Sequence, residues 1–307
     1  MKHVFSLSGQ YDDQADEQLV ALALKGDRKS LNQLVMNNQD YIFNIALKML
    51  NVVEEAEDAT QEILIKVITK LSQYQPEKAR FRTWLYRIVF NHVLKMKQSR
   101  HEKHNVNFEK FFGFMDSVPD VEIPTEELEI MGVSIKEARI ACTAGMLMCL
   151  DRTQRLTYII GEVFRIDHKL AGEIFEISPA NFRKRLSLAR KDLHQWMHRK
   201  CGLVNTNNPC RCRKKTRKFI EMGIVNPENL KWQSNFSQQI FTQMEEKLEV
   251  ISLEADQIYA RFYQEDPFKV SLKAKEVLDV ISQSEFMELS PENFWRAVGE
   301  DRLAENE

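Results

Sequence analysis

The sequence predicts an all-α protein, and three observations carry that prediction. Glycine is scarce, at 10 of 307 residues, strict alternation of apolar and polar residues is rare, and apolar residues mostly recur at intervals of three and four. That spacing is typical of one face of a helix. With 43% hydrophobic residues, the chain can build two or three separate cores. We therefore expect two small helical domains joined by an acidic linker, and a helical C-terminal extension.

The first predicted domain occupies residues 16–100 and follows a flexible N-terminus at residues 1–15. Segments with apolar periodicity are separated by short stretches such as "KGD" and "YQPEKA", whose residues favour turns. This pattern predicts consecutive helices, which cover residues 16–25, 29–50, 54–71 and 81–98.

The third predicted helix carries an acidic stripe. Ala59 and Ile63 lie on its apolar face, whereas Asp58 and Glu62 follow each other on the polar face. Carboxylates four residues apart on a helix repel each other slightly, so the stripe indicates a basic partner surface. A carboxylate pair for acid–base or metal chemistry is disfavoured because no histidine stands at the spacing that di-metal helices use.

The fourth predicted helix combines a core face with a basic and amide-rich face. The second face comprises Arg80, Thr83, Arg87, Asn91 and Lys95. Such a stripe suits phosphates and base edges, although an ordinary solvated face would look similar. The rings of Trp84, Tyr86 and Phe90 are too many for one helix face to bury, and rings among cations are how proteins hold unstacked bases.

Residues 101–136 are expected to form an extended acidic linker. Helical periodicity weakens there, prolines stand at positions 119 and 124, and nine Asp or Glu outnumber three Lys between His101 and Glu137.

The second predicted domain, residues 137–200, contains a helix-turn-helix at residues 167–193. Ile177 fills the turn, Ser178 is a strong N-cap, and Pro179 suits the first helical position. The second helix buries one apolar side and resembles a recognition helix, whose early residues reach base edges in the major groove. Its candidate DNA contacts are Ser178, Asn181, Arg183, Lys184, Arg185, Ser187 and Arg190.

Two motifs in this order resemble one family, the extracytoplasmic-function (ECF) group of bacterial RNA polymerase sigma factors. "EDATQEILIKV" followed by "FRTWLYRIVFNHVLK" is similar to region two of that group, and the helix-turn-helix is similar to its region four. The resemblance covers about residues 16–196. It implies a promoter-recognition subunit that directs core RNA polymerase to promoters and melts the minus-ten element.

The resemblance also implies roles for individual residues. Those matching the polymerase-binding surface are Asp58, Gln61 and Glu62. Those matching the minus-ten reader are Arg80, Phe81, Arg82, Thr83, Trp84, Arg87, Asn91 and Lys95. The helix-turn-helix would read the minus-thirty-five element, and the acidic linker would occupy the path of template and nascent RNA. Glu176 stands where the family usually has a glycine, which predicts a different or strained backbone.

A basic, cysteine-rich segment follows at residues 201–218. His198, Cys201, Cys210 and Cys212 could supply a complete tetrahedral zinc set, and neighbouring cations would favour thiolates. A sigma factor requires no cofactor, so a zinc site, a redox switch and a structural or unliganded cluster all remain open. Cys142 and Cys149 are interpreted as core residues because they lie in an apolar stretch.

Residues 219–307 are expected to form an acidic helical extension. Residues 181–218 hold thirteen Lys or Arg against Asp192 alone, whereas residues 219–307 hold eighteen Asp or Glu against eight Lys or Arg. This segregation favours a regulatory domain that folds back on the basic helix-turn-helix or binds another protein, in place of a separate anti-sigma factor. A solvated helical appendix is the alternative.

The sequence therefore predicts a non-enzymatic, cytoplasmic sigma factor whose partners are core RNA polymerase and promoter DNA, without membrane insertion. A stand-alone helix-turn-helix regulator with a metal- or redox-responsive Cys/His cluster is the alternative. The acidic stripe at Asp58 and Glu62 distinguishes the two, because a simple duplex-binding regulator has no need of it. A zinc-dependent nucleic-acid enzyme is disfavoured, since the cluster has no neighbouring Glu as a general base and no open coordination position.

Overall fold

The computed structural model describes residues 13–96, residue 102 and residues 106–231. These ranges are helical and contain no β-strand, which confirms the predicted all-α class; the single β-bridge pairs Cys201 with Cys210. The α-helices are α1 (Asp13–Ala23), α2 (Arg28–Leu50), α3 (Val53–Thr69), α4 (Phe81–Lys95), α5 (Phe108–Ser117), α6 (Gly132–Met148), α7 (Arg152–Tyr158), α8 (His168–Phe175), α9 (Pro179–Lys200) and α10 (Cys212–Glu221). None of the described helices has the length and apolar content needed to cross a membrane.

Helices α1 to α4 pack around one core, and each boundary has a local cause. The carboxylate of Asp27 caps α2 by accepting from the backbone N–H of Ser30 at 3.1 Å, and Asn51 ends α2 in the left-handed conformation, which asparagine tolerates better than most residues. Helix α3 buries Ala59 and Ile63 as the apolar pattern predicted. The four predicted helices are present; two of their ends coincide with the prediction and the others are shifted by one to three residues.

The linker is not simply extended. Helix α5 lies within it, and Asn107 caps that helix by accepting from the backbone N–H of Lys110 at 2.8 Å. The ring of Phe112 is buried and stacks on Trp196 of α9, with centroids 5.6 Å apart. Apolar residues at positions 108, 111, 112 and 115 have helical spacing, and burying that face against α9 outweighs the local acidic charge.

The helix-turn-helix forms as expected. Ile174 of α8 and Phe182 of α9 are buried, and the Ser178 hydroxyl accepts from the backbone N–H of Asn181 at 3.2 Å. Glu176 adopts φ 55° and ψ 40°, a left-handed conformation in which an L-residue is strained. The expectation of a strained turn at this position is confirmed.

Of the acidic helical extension expected at residues 219–307, only residues 219–231 are described, and the rest lies outside the described residues. The expected flexible N-terminus at residues 1–15 also lies almost wholly outside them.

Candidate nucleic-acid interface

An open groove runs between α3 and α4 and brings the two predicted stripes face to face. One wall is the polar side of α3 and the other is the basic and amide side of α4. The groove is lined by Glu55, Asp58, Ala59, Glu62, Lys66, Lys70, Gln73, Trp84, Arg87, Ile88, Asn91, His92, Lys95 and Met96. Acidic residues predicted to bind polymerase and basic residues predicted to bind DNA therefore share one surface.

His92 links the two walls of the groove. Its Nδ1 lies 2.8 Å from Nζ of Lys66, and its Nε2 faces a carboxylate oxygen of Glu62 at 3.4 Å without hydrogen-bond geometry. Burial, followed by the positive charge of Lys66, lowers the pKa of His92, and Glu62 only partly opposes this. The imidazole is therefore neutral at pH 7 and accepts a hydrogen bond from Lys66.

The predicted minus-ten residues divide by exposure. Arg80, Asn91 and Lys95 are exposed, and Trp84 and Arg87 are half-buried. The remaining members of the set, Phe81, Arg82 and Thr83, are buried.

Arg82 belongs to an internal ion pair. Its Nε donates to a carboxylate oxygen of Asp16 on α1 at 3.1 Å, and both side chains are buried. The pair connects α1 to the start of α4, so in this conformation Arg82 supports the predicted minus-ten residues from the interior. Helical periodicity alone cannot distinguish this buried arginine from the exposed basic residues of the same stretch.

We expected that the rings of Trp84, Tyr86 and Phe90 were too many for one helix face to bury. In the structure, however, Tyr86 and Phe90 are buried. Tyr86 stacks on Tyr41 at 4.7 Å between centroids, and Phe90 lies 5.4 Å from Phe175 of α8. A second element covers the side of α4 that the bundle leaves open. Trp84 alone among the three rings is half-exposed at the groove.

The helix-turn-helix docks directly on α4 through Arg87. The Arg87 guanidinium donates from Nε at 3.1 Å and from Nη2 at 3.0 Å to the backbone carbonyl of Glu173. A candidate minus-ten residue is thus occupied by α8, the first helix of the predicted minus-thirty-five reader. The two predicted DNA-reading units form a closed arrangement, by which we mean the packing of α7 and α8 against α4.

A buried arginine network that the sequence did not reveal secures the closed arrangement. Arg152 at the start of α7 donates to both carboxylate oxygens of Glu102, at 2.8 and 2.6 Å, and to the carbonyls of Leu94 and Met96 at the end of α4. Its neighbour Arg155 donates to Glu102 and to the carbonyl of Met49 in α2.

This network places cations at the C-terminal ends of α2 and α4, where unpaired carbonyls concentrate negative charge. Burial lowers the pKa of Arg155, and the charge of Glu102 opposes that shift. The only sign of this network in the sequence is a pair of arginines, three residues apart, at the start of a helix. That pair does not indicate a partner fifty residues away in the chain.

The predicted recognition helix, α9, presents most of its predicted contacts to solvent. Ser178, Asn181, Arg183, Lys184, Arg185 and Ser187 are exposed. Arg190 is different, because its guanidinium pairs with the carboxylate of Glu162, with Nε 2.6 Å from Oε1. The early turns of α9 therefore offer the polar and basic surface, while Arg190 holds the helix to its own domain.

The basic first turn of α10 is paired with the acidic linker. Nζ of Lys214 lies 2.5 Å from a carboxylate oxygen of Glu122, and Nζ of Lys215 lies 2.9 Å from one of Asp120. The backbone N–H of Val121 also donates to the carbonyl of Lys214 at 2.8 Å. Within the described residues, carboxylates of the linker thus neutralise the charges of these two lysines.

The structure separates the predicted zinc residues. Cys201, Cys210 and Cys212 line one small pocket, together with Cys142, whereas His198 lines a different groove along α9. In the part of the chain that is described, no three Cys, His, Asp or Glu side chains are grouped closely enough to hold a metal ion. Cys149 lies apart from the pocket, and its thiol contacts the carbonyl of Gly145 at 3.5 Å.

Comparison with known proteins identifies the class of the N-terminal bundle. Residues 34–102 match the family Sigma-70 region 2, so α2 to α4 and the groove between α3 and α4 belong to a sigma-70 region 2 domain. The RNA polymerase sigma-H factor of Pseudomonas aeruginosa is 32% identical over 114 residues, which are 36% of this chain and 58% of that protein.

A second relative extends beyond region 2. The ECF RNA polymerase sigma factor SigE of Mycolicibacterium smegmatis is 23% identical over 171 residues, which are 55% of this chain and 62% of that protein. A chain from the structure of CnrH in complex with the cytosolic domain of CnrY is similar over 60% of this chain and 98% of its own, with 19% identity and a TM-score of 0.42.

The chain spans about three fifths of the length of both curated relatives. It is similar to curated sigma factors of the ECF group. The comparisons give no support to a stand-alone regulator.

Proposed function

We propose that this protein is a sigma factor that directs core RNA polymerase to specific promoters and opens the minus-ten element. The observation that carries the proposal is the groove between α3 and α4, in which an acidic wall faces a wall of cations, an amide and a half-exposed indole. A duplex-binding domain needs the cations and the amide. It does not need Asp58 and Glu62, whereas a protein that must also hold a basic surface of polymerase does.

We assign the proposed roles by side-chain exposure: exposed and half-buried residues contact partners, and buried residues position them. Asp58, Gln61 and Glu62 bind the polymerase, and Arg80, Trp84, Arg87, Asn91 and Lys95 contact the minus-ten strand. Trp84 offers a ring face to an unstacked base, a contact worth about 1–3 kcal/mol. Phe81, Arg82 and Thr83 position these residues from the interior. The exposed early turns of α9 read the minus-thirty-five element, with phosphates held by Arg183, Lys184 and Arg185.

The closed arrangement must open for both elements to be read together. Elements about 25 base pairs apart lie on the order of 85 Å apart along B-DNA, at ~3.4 Å per base pair. In the structure α8 touches α4 through Arg87 and Phe90, so the two readers cannot contact both elements at once. We infer that polymerase and promoter bind the open form and that the free protein rests in the closed one.

The regulatory role of residues 219–307 belongs to the same proposal. Their acidic charge suits docking on a basic surface, and the exposed turns of α9 provide one. Residues 214–217 are already paired with the linker, so the recognition helix is the larger unmatched basic surface among the described residues. The protein would act in the cytoplasm, without enzymatic activity or a required cofactor.

Run-off transcription with bacterial core RNA polymerase and a pool of promoter fragments tests the proposal. The wild-type chain should yield transcripts that core enzyme alone does not. Asp58→Ala/Glu62→Ala should lose them together with comigration on core enzyme. A charge-matched control, Glu54→Ala/Glu228→Ala, changes exposed carboxylates outside the groove and should behave like the wild type.

The remaining variants separate the steps. Asn181→Ala/Lys184→Ala should keep polymerase binding and lose promoter selection, and truncation after Lys218 should raise transcription if the extension is inhibitory. Absence of transcripts from both the full chain and the truncated chain, with no comigration on core polymerase, would overturn the sigma assignment.

A further inference from the structure

Four of the five cysteines converge on one pocket, although the sequence distributes them over about seventy positions. Cys142 comes from α6, Cys201 follows the last residue of α9, Cys210 precedes α10, and Cys212 begins it. All four are partly buried and none is in a disulfide. Cys142, which the sequence alone places in an ordinary core, thus takes the position that the sequence pattern assigned to His198.

The loop that joins Cys201 to Cys210 is built to hold these residues in register. The side-chain amide of Asn208 donates to the carbonyls of His198 and Cys201, at 2.9 and 3.2 Å. Arg211 donates to the carbonyls of Cys210 and Thr206, both at 2.9 Å. Such a set of side-chain bonds to backbone carbonyls fixes a short loop that has no regular structure of its own.

Gly202 is required for this close approach. A β-carbon at that position would collide with the carbonyl of Cys210 and with the guanidinium of Arg211. The backbones of Cys201 and Cys210 pair in a β-bridge immediately beside it. Two of the four thiols are therefore brought together by backbone contact rather than by chance packing.

The pocket disfavours free thiolates. Burial raises the pKa of Cys142 well above its ordinary value, and negative charges on Cys212, Cys201 and Cys210 would raise it further. Burial and the charges of Cys201 and Cys210 likewise raise the pKa of Cys212 to about 12. All four cysteines line this one pocket, and a cation placed among them would favour the thiolate form of each.

We propose that Cys142, Cys201, Cys210 and Cys212 form a tetrathiolate site for a soft divalent cation of the Zn²⁺ class. Four sulfurs are the complete ligand set of a closed structural site, and Zn²⁺ lies about 2.3 Å from each thiolate. Because the sulfurs are not yet grouped closely enough to hold an ion, binding draws them inward by side-chain rotation. Each thiol that becomes a ligand releases one proton to solvent.

The surroundings suit a site with two net negative charges. Lys200 and Lys215 line the pocket and could approach the sulfurs. In the structure each is held by a carboxylate of the linker region, Lys200 by Asp116 at 2.6 Å and Lys215 by Asp120 at 2.9 Å. A bound tetrathiolate would thus tie together α6, the end of the recognition helix and the start of α10.

The test uses the full chain, reduced and free of metal, titrated with Co²⁺ under anaerobic conditions. A tetrathiolate site should give an intense sulfur-to-cobalt charge-transfer band and the d–d bands of tetrahedral Co²⁺, saturating at one equivalent and abolished by Zn²⁺. Proton release during Zn²⁺ binding gives a second readout. No charge-transfer band under these conditions would overturn the proposal.

Two single variants distinguish the ligand set. Cys142→Ser should weaken binding at least tenfold and diminish the charge-transfer band, whereas His198→Ala should leave both unchanged. Cys149→Ser is the matched control, because this cysteine lies outside the pocket, and it should bind like the wild type. Gly202→Ala should impair binding while leaving every thiol in place.

Helical circular dichroism before titration verifies that each variant is folded, and a variant that has lost its helical signal is replaced by the corresponding Cys→Ala. Equal binding by Cys142→Ser and wild type, with loss in His198→Ala, would refute the assignment of Cys142 even if a metal binds. Neither result bears on promoter-dependent transcription, so this inference and the sigma proposal fail independently.

Discussion

Replacing Arg152 by alanine should shift the free protein from the closed to an open arrangement. Its guanidinium donates to the carboxylate of Glu102 and to the carbonyls of Val93, Leu94 and Met96, and these acceptors all precede α5. The fold of α7 to α9 does not depend on these bonds. The variant therefore weakens docking without removing a core side chain.

The magnitude follows from the geometry. Breaking a buried ion pair from one side costs about 3–5 kcal/mol, and hydrogen bonds to charged groups contribute about 1.5–3 kcal/mol each. The side chain of Arg152 is 19% exposed and that of Glu102 is 7% exposed, and water can replace part of what is lost. We expect a loss of about 2–3 kcal/mol, or a change of roughly 30- to 140-fold in the ratio of closed to open molecules.

Small-angle X-ray scattering of the full chain measures this shift, because opening increases the radius of gyration. Limited proteolysis between residues 96 and 107 provides an independent measurement. Lys218→Ala is a suitable control, since it removes an exposed pair with Glu221 inside α10 that is worth at most about 0.5 kcal/mol. Identical scattering and identical cleavage rates for the two variants would refute the reasoning.

Three further predictions concern single positions. His92→Gln should flatten the pH dependence of stability below about pH 6.5. Because the pKa of His92 is lowered in the folded state, the unfolded chain binds more protons in this range, and the stability of the wild type decreases as the pH is lowered. Urea unfolding from pH 5 to pH 8 measures this effect. Gly172→Ala should destabilise the helix-turn-helix by about 1–3 kcal/mol, since its β-carbon would lie 2.8 Å from the carbonyl oxygen of Ile177; equal unfolding midpoints would contradict this. Glu176→Gly should stabilise the turn or leave it unchanged, and Glu176→Val should cost about 1–2 kcal/mol; thermal melts that rank them the other way would argue against a strained turn.

Sequence patterns were sufficient to predict features that depend only on residues close together in the chain. The periodicity of α3, the cap at Ser178 and the missing turn glycine at Glu176 are local features, and the structure confirms each of them. The groove could also be predicted in outline, because adjacent helices of a bundle bring their polar faces together.

Features that depend on distant contacts were not predictable. The burial of Tyr86 and Phe90 requires α2 and α8 to cover a second side of α4, and no pattern within α4 reports that. The pairing of Arg155 with Met49 and Glu102 spans more than fifty residues. Cys142 lies in a stretch whose apolar neighbours describe a core, so its position beside Cys201 became visible only in three dimensions.

The acceptor for Arg87 is a main-chain carbonyl of α8 rather than a side chain. Any residue at position 173 presents the same oxygen, so substitutions there leave this contact in place. Under the proposed function, changes at position 87 act on docking and on promoter contact together. A substitution of this arginine that loosens the closed arrangement would then also weaken promoter opening, so the two proposed states of the molecule depend on one side chain.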